Sequence, residues 1–145
     1  MSKEKKVKVA VQMDKLNKIN KYTDSTLALI QEAIKRKFFV FIYNVDSLYF
    51  ENNELKAMAN KVLSINIQKD KFLTLDIPHV ISLKSFDYVL VRQDPPFNME
   101  YITATYLLER LPKSCLVLNK PNSIRDCPEK LFVMDFYNLM PPTLI

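Results

Sequence analysis

At 145 residues, with 26% charged and 48% hydrophobic side chains, the chain is long enough for one domain with its own core and far from the composition of disordered segments. The net charge of +5 comes mostly from lysines spread along the chain; the group Lys3, Lys5, Lys6 and Lys8 has no interleaved aromatics and leads into an apolar stretch, so it reads as solvated surface and no nucleic-acid partner is expected. No apolar run reaches the length of a bilayer crossing, the start of the chain lacks the apolar centre of a signal peptide, and the two cysteines, Cys115 and Cys127, fit a reducing compartment; no membrane partner is expected, and the cytoplasm is the expected location.

Glycine is absent, although a chain of this length usually carries about ten at a frequency of ~7%. That rules out a GxGxxG dinucleotide turn, a phosphate-cradling P-loop and a GxSxG nucleophile elbow, each of which needs glycine for positive φ or close backbone approach.

In chain order, residues 7–13 predict a first strand with Asp14 at its carboxyl end, followed by a polar loop over 15–23. Asp24-Ser25 supplies a helix N-cap, and Leu27, Ile30 and Ile34, with Ala28 and Gln31, repeat at helical spacing, which predicts a helix over 25–37. Its basic end, Lys35-Arg36-Lys37, suits the negative pole of the helix dipole, but Lys37 stands where a capping glycine is preferred. The continuously apolar stretch 38–43 completes a β-α-β unit with a right-handed crossover, so the sheet is parallel. Residues 48–50 and 55–59 flank Glu51-Asn52-Asn53-Glu54 and predict a hairpin in which the asparagines replace glycine. Two more short strands are expected at 62–68 and 72–77, all as an ornament on the sheet edge.

Tyr88-Val89-Leu90-Val91 reads as a strand buried on both faces, running directly into Arg92-Gln93-Asp94-Pro95-Pro96-Phe97. The prolines stiffen this loop and hold the residues before them extended. In open α/β sheets ligands collect outside the carboxyl ends of strands, so Arg92 and Asp94 are candidates for a binding site; a proline-stiffened turn with a surface ion pair is the alternative. Asn98 caps a second helix through about residue 111, with Ile102, Thr105, Leu108 and Leu111 on one stripe. Pro112 ends it, and 115–118 is another short strand. Residues 122–138 look helical in two pieces, the second opened by Pro128 in its first turn. After Pro141-Pro142, Thr143-Leu144-Ile145 begins an extended segment, as at a domain junction.

His79 has no ligand-spaced partner or adjacent nucleophile and reads as a surface or satisfied histidine. Cys127, beside Arg125 and Asp126, lacks a histidine base for nucleophilic work. Asp14, Asp24 and Asp94 lie in loops after strands or at a helix start and can converge with Arg92 on a crevice for an amino-acid-like ligand. Alternatively, Asp24 is only a cap and Asp94 only a turn residue.

Met13-Asp14, Thr23-Asp24-Ser25-Thr26, Arg92-Gln93-Asp94-Pro95-Pro96-Phe97 and the helix Tyr101-Ile102-Thr103-Ala104-Thr105-Tyr106-Leu107-Leu108-Glu109-Arg110 together resemble the N-terminal domain of bacterial glutathione synthetase. Asn119-Lys120-Pro121, Arg125-Asp126, Glu129-Lys130-Leu131-Phe132 and Pro141-Pro142-Thr143-Leu144 extend the likeness over nearly the whole chain. It implies a pre-ATP-grasp fold of α/β class, a three-layer α/β/α structure with a mainly parallel sheet and the hairpin as an insertion. It also implies an enzyme that joins γ-glutamylcysteine to glycine through an acyl phosphate, with ATP and Mg2+ as cofactors. By resemblance Lys130 reaches the ATP phosphates, while Asp14, Asp24, Ser25, Arg92 and Asp94 face the peptide substrate; no catalytic or metal-binding residue is assigned. Residues 1–142 would be the substrate domain and 143–145 the entry to an ATP-grasp domain, in cis or in trans, that carries the metal ligands and without which no turnover is expected. Homo-oligomers are common in the family and are left open here. Two departures stand out: the family commonly has Asp-Pro at Asp14-Lys15 and glycine at Lys37. A non-catalytic ligand-binding module, or an inactive remnant of a split synthetase, is the alternative reading.

Overall fold

The computed structural model describes residues 6–144; Lys3 and Lys5 of the basic cluster, and Ile145 of the C-terminal extension, lie outside the described residues. Strand β1 (Lys8–Gln12) is followed by helix α1 (Ser25–Lys35) and strand β2 (Phe39–Tyr43), and β2 pairs in parallel with β1. Strand β7 (Tyr88–Val91) lies on the other side of β1, again parallel, and helix α2 (Met99–Leu108) leads to β8 (Leu116–Leu118), parallel to β7. The parallel part of the sheet therefore runs β2-β1-β7-β8. The first β-α-β unit steps to one side of β1 and the second steps away to the other, so crossovers of the same hand place their helices on opposite faces.

The burial pattern has that arrangement. Val9 and Val11 of β1 and Val40 and Ile42 of β2 pack with Leu27 and Ile30 of α1 on one face. On the other face Ala10, Val89 and Val91 pack with Leu108 of α2, and Ile124 of helix α3 (Pro121–Asp126) joins them. The fold is thus three-layered α/β, and β7 is buried from both sides as its sequence predicts: Val89 and Val91 face one core while Leu90 packs against the other.

The antiparallel extension departs from expectation. Residues 54–65 form a single strand β4 (Glu54–Ile65), not two short strands, and β4 is a hub: it pairs with β2, with β3 (Leu48–Glu51), with β5 (Leu73–Leu75) and with β6 (His79–Ser82). The break expected around Asn60 and Lys61 does not occur because Asp76 secures both, accepting from the Lys61 amide at 2.8 Å while its carbonyl accepts from Asn60 Nδ2 at 2.8 Å. The hairpin turn is as predicted, with Asn52 and Asn53 at φ of 50° and 60°. Strand β6 has no counterpart among the predicted elements. His79 sits on it, exposed, with its ring perpendicular to that of Phe41 and Nδ1 3.1 Å from the Ile77 carbonyl.

Helix α2 ends at Leu108, one turn before the predicted 111, because Arg110 and Leu111 turn off on shortened hydrogen-bond loops, their amides donating to the Leu107 and Leu108 carbonyls. Beyond β8 the chain forms α3, with Pro121 in its first turn, and then α4 (Glu129–Phe132), with Pro128 at the N-cap instead of within the first turn. A 3-10 segment, Val133–Leu139, follows. Among the described residues no helix is long and apolar enough to cross a membrane.

Candidate functional site

Strand order reverses between β1 and β7, and at such a switch point the loops leaving adjacent strands diverge to opposite faces and open a crevice. Asp14 leaves β1 here and Arg92-Gln93-Asp94 leave β7. The two are joined directly: the Asp94 amide donates to Asp14 Oδ2 at 2.6 Å, and the Arg92 amide donates to the Gln12 carbonyl at 2.8 Å. The loop after β7 is thereby fastened to the end of β1 before its prolines, Pro95 and Pro96, take it outward.

Helix α1 starts over the same crevice. Asp24 Oδ1 accepts from the Thr26 amide at 2.6 Å and the Leu27 amide at 3.2 Å, satisfying two of the open donors of the first turn. Arg92 extends to this helix start, donating from Nη2 to Ser25 Oγ at 2.8 Å and from Nε to Thr26 Oγ1 at 3.3 Å. Among the described residues it forms no ion pair with Asp94, so the surface ion pair weighed as an alternative is not made. A guanidinium parked at the positive end of a helix dipole is electrostatically frustrated, and an anion between the two relieves both.

Asp14, Asp24, Ser25, Arg92 and Asp94, all named from sequence, line one cavity of about 500 Å3. Asp24 is at the same time the cap of α1, so its two readings are compatible. A second cavity, of about 310 Å3, opens on the β2 side and is bordered by Asp14, Lys15, Asn44, Gln93 and Asp94. A third, also of about 310 Å3, lies behind Asp14 and Met13 towards Asn60. Lys130 is apart from these. It borders a larger hollow of about 830 Å3 walled by Phe97, Tyr101 and Ile124, and Pro95 is common to this hollow and the Arg92 cavity. Tyr101, packed on Phe97 with ring centroids 5.2 Å apart, lines the Lys130 hollow. Burial raises its phenol pKa; Arg92 pulls it down, and Asp14 and Asp94 push it up again.

Several residues at the site were not anticipated. Gln12 is completely buried at the end of β1, where its amide Nε2 donates to Gln93 Oε1 and its Oε1 accepts from the Tyr43 hydroxyl at 3.1 Å. Asn44 donates from Nδ2 to the Met13 carbonyl at 2.8 Å, tying the ends of β1 and β2. The one available signal was an uncharged polar residue ending an apolar strand. Cys115 is buried, with Sγ 3.5 Å from the Leu83 carbonyl, and Cys127 is exposed at the edge of the Lys130 hollow. No group of three or more His, Cys, Asp or Glu able to hold a metal ion occurs among the described residues.

Residues 7–125 match the family model described as prokaryotic glutathione synthetase, N-terminal domain. The chain is 48% identical to glutathione synthetase of Rhodopseudomonas palustris over 139 residues, which cover 96% of this chain and 44% of that protein. It is 48% identical to that of Bradyrhizobium diazoefficiens over 97% of the chain and 44% of the relative. The glutathione synthetase of Buchnera aphidicola is 39% identical over the whole chain and 45% of its own length. The chain thus spans less than half the length of the curated relatives it matches.

Proposed function

The chain belongs to the family of prokaryotic glutathione synthetase N-terminal domains, and on that premise we propose that it is the substrate-side domain of a glutathione synthase, an ATP-dependent ligase of γ-glutamylcysteine and glycine. The observation that carries this reading is Arg92, held by Ser25 and Thr26 at the amino end of α1 and facing a polar cavity. A carboxylate of the peptide substrate fits there, paired with the guanidinium and supported by the helix dipole. Asp14 and Asp94, on the same wall, suit the ammonium group of the same ligand. Held this way, the peptide is immobilised by its charged end and its reacting carboxyl is left to point across the crevice.

Lys130 suits a phosphate oxygen of ATP. A flexible ammonium can follow a phosphate as its charge changes, and Phe97 and Tyr101 wall the same hollow. The nucleotide supplies the phosphoryl group that activates the peptide carboxyl. The described residues do not offer a Mg2+ site, so in this reading the ion's ligands belong to an ATP-grasp domain, supplied in cis or in trans after a boundary near residue 142. A cytoplasmic location accords with these substrates.

The test is to titrate the chain with γ-glutamylcysteine and, with an ATP-grasp partner polypeptide added, to follow glutathione formation from ATP, Mg2+ and glycine. Arg92→Ala should weaken the peptide substrate about tenfold or more, the scale of a lost charge-assisted contact, with little effect on the nucleotide. Lys130→Ala should do the reverse. Ligation of a different amino-acid pair without glutathione, or unchanged constants in both variants, would sink the reading.

A further inference from the structure

Gln93 belongs to the loop that carries Arg92 and Asp94, yet neither the peptide nor the nucleotide role uses it. Its environment orients its amide through a chain of hydrogen bonds that starts in the core. Tyr43 is buried, and burial raises its pKa, so the phenol keeps its proton and must donate it. The acceptor is Gln12 Oε1, at 3.1 Å. With that oxygen turned to Tyr43, the Gln12 amide nitrogen faces the other way, and it donates to Gln93 Oε1. Gln12 is completely buried, so reversing its amide would strand a donor or an acceptor without water to compensate. The direction of the chain is therefore set by its buried end. At its outer end the Gln93 oxygen is occupied, and the amide nitrogen has no acceptor among the described residues. Gln93 is half-buried and borders the 310 Å3 cavity on the β2 side of the crevice.

We infer that Gln93 presents a fixed amide donor to a carboxylate or carbonyl oxygen of the ligand bound in the β2-side cavity, with Gln12 and Tyr43 as the positioning residues that keep its amide from turning over. The inference rests on the substrate-side reading above and adds a second polar contact to it, across Asp14 from Arg92. It also defines what the contact selects: a hydrogen-bond acceptor is welcomed and an ammonium is refused, although carboxylates line the same cavity.

The side-chain amide region of a nitrogen–proton correlation spectrum tests this, on the free chain and on the chain titrated with γ-glutamylcysteine or, separately, with acetate as a bare carboxylate. The Gln93 amide pair should exchange with water when free and shift with both probes, while the Gln12 pair stays protected. Gln93→Leu should weaken γ-glutamylcysteine about tenfold, the scale of a hydrogen bond to a charged group. Gln93→Glu should weaken it at least as much, and Gln93→Lys, which keeps a donor, should stay within about threefold. Tyr43→Phe should bring the Gln93 amide into two environments and lower affinity while the melting temperature shows the variant folded. A Gln93 signal unmoved by saturating γ-glutamylcysteine, or Gln93→Leu binding like the parent, overturns the inference and leaves the Arg92 reading standing. Should the chain fail to bind γ-glutamylcysteine yet shift Gln93 with acetate, the substrate reading falls and the donor survives; a Gln93 pair unmoved by either probe overturns the donor.

Discussion

At Lys37 the backbone takes φ of 62°, the left-handed region in which a Cβ crowds the neighbouring carbonyl, and the hydrogen bonds around it nevertheless complete a regular helix stop. The Phe38 amide donates to the Ala33 carbonyl at 3.0 Å and the Lys37 amide to Ile34 at 2.8 Å, the paired bonds of a Schellman motif, with Phe38 and Ala33 packed in the same core cluster. The geometry is that of a glycine stop carried by a lysine. Lys37→Gly should therefore stabilise the chain by about 1 kcal/mol, read as a higher urea midpoint at unchanged slope; a lower midpoint would mean that the lysine side chain contributes more than its backbone costs. Both Lys37 and the Asp24 cap were legible in the sequence because their partners lie within a few residues. Gln12 was not: its partners are 31 and 81 positions away, and only the folded sheet brings them to it.

Among the elements, legibility followed the range of the interactions. The hairpin turn at Asn52 and Asn53 is a local requirement for positive φ, and it was found. The sequence of β4 reads as two strands because Asn60 and Lys61 look like an interruption, whereas Asp76 and the Phe39 ring, 4.6 Å from the Lys61 ammonium, hold them in a continuous strand. Strand β6 has little pattern of its own and is formed by pairing along β4. The six-residue helix α3 is likewise too short to persist alone. Arg125 ties it to α2, donating from Nη1 to Thr105 Oγ1 at 3.0 Å and from Nη2 to Glu109 Oε2 at 2.8 Å, with the guanidinium 3.9 Å over the Tyr106 ring. The hydrogen bond to Glu109 is the main cause of its raised pKa. Arg125→Ala should speed amide exchange in α3 while leaving that in β1 and β7 unchanged. Arg125→Lys should recover only part of the protection, since an ammonium cannot make the planar two-pronged contact. Exchange unaltered in α3 would show that its packing on α2 suffices without the arginine.

For the whole molecule, the β-α-β reading and the family likeness together made the layers accessible, and Asp14 and Arg92 pointed to the two strand ends that border the crevice; the strand order that makes it a switch point was not legible, because it depends on the second unit stepping away from the first. The interior so formed has an alkaline weakness. Burial, reinforced by the charge of Asp87, pushes the Cys115 thiol from its ordinary 9.0 up to about 11, and burial also raises Tyr43. The folded chain thus keeps protons that the unfolded chain releases. Stability from this source is complete below pH 9 and falls as pH rises towards 11. Urea unfolding across that range should show the decline, and Cys115→Ala should flatten part of it; identical pH profiles for parent and variant would remove the thiol as a cause. Asp14 carries a different consequence. It borders three hollows on the crevice while already accepting from the Asp94 amide, so occupants on either side must share one carboxylate. An occupant that neutralises it in one hollow changes what the next hollow attracts, and by linkage the influence is mutual and equal in both directions. On the proposed function, affinity in this crevice would accordingly be heterotropic, with the order in which ligands arrive biased by a single shared wall.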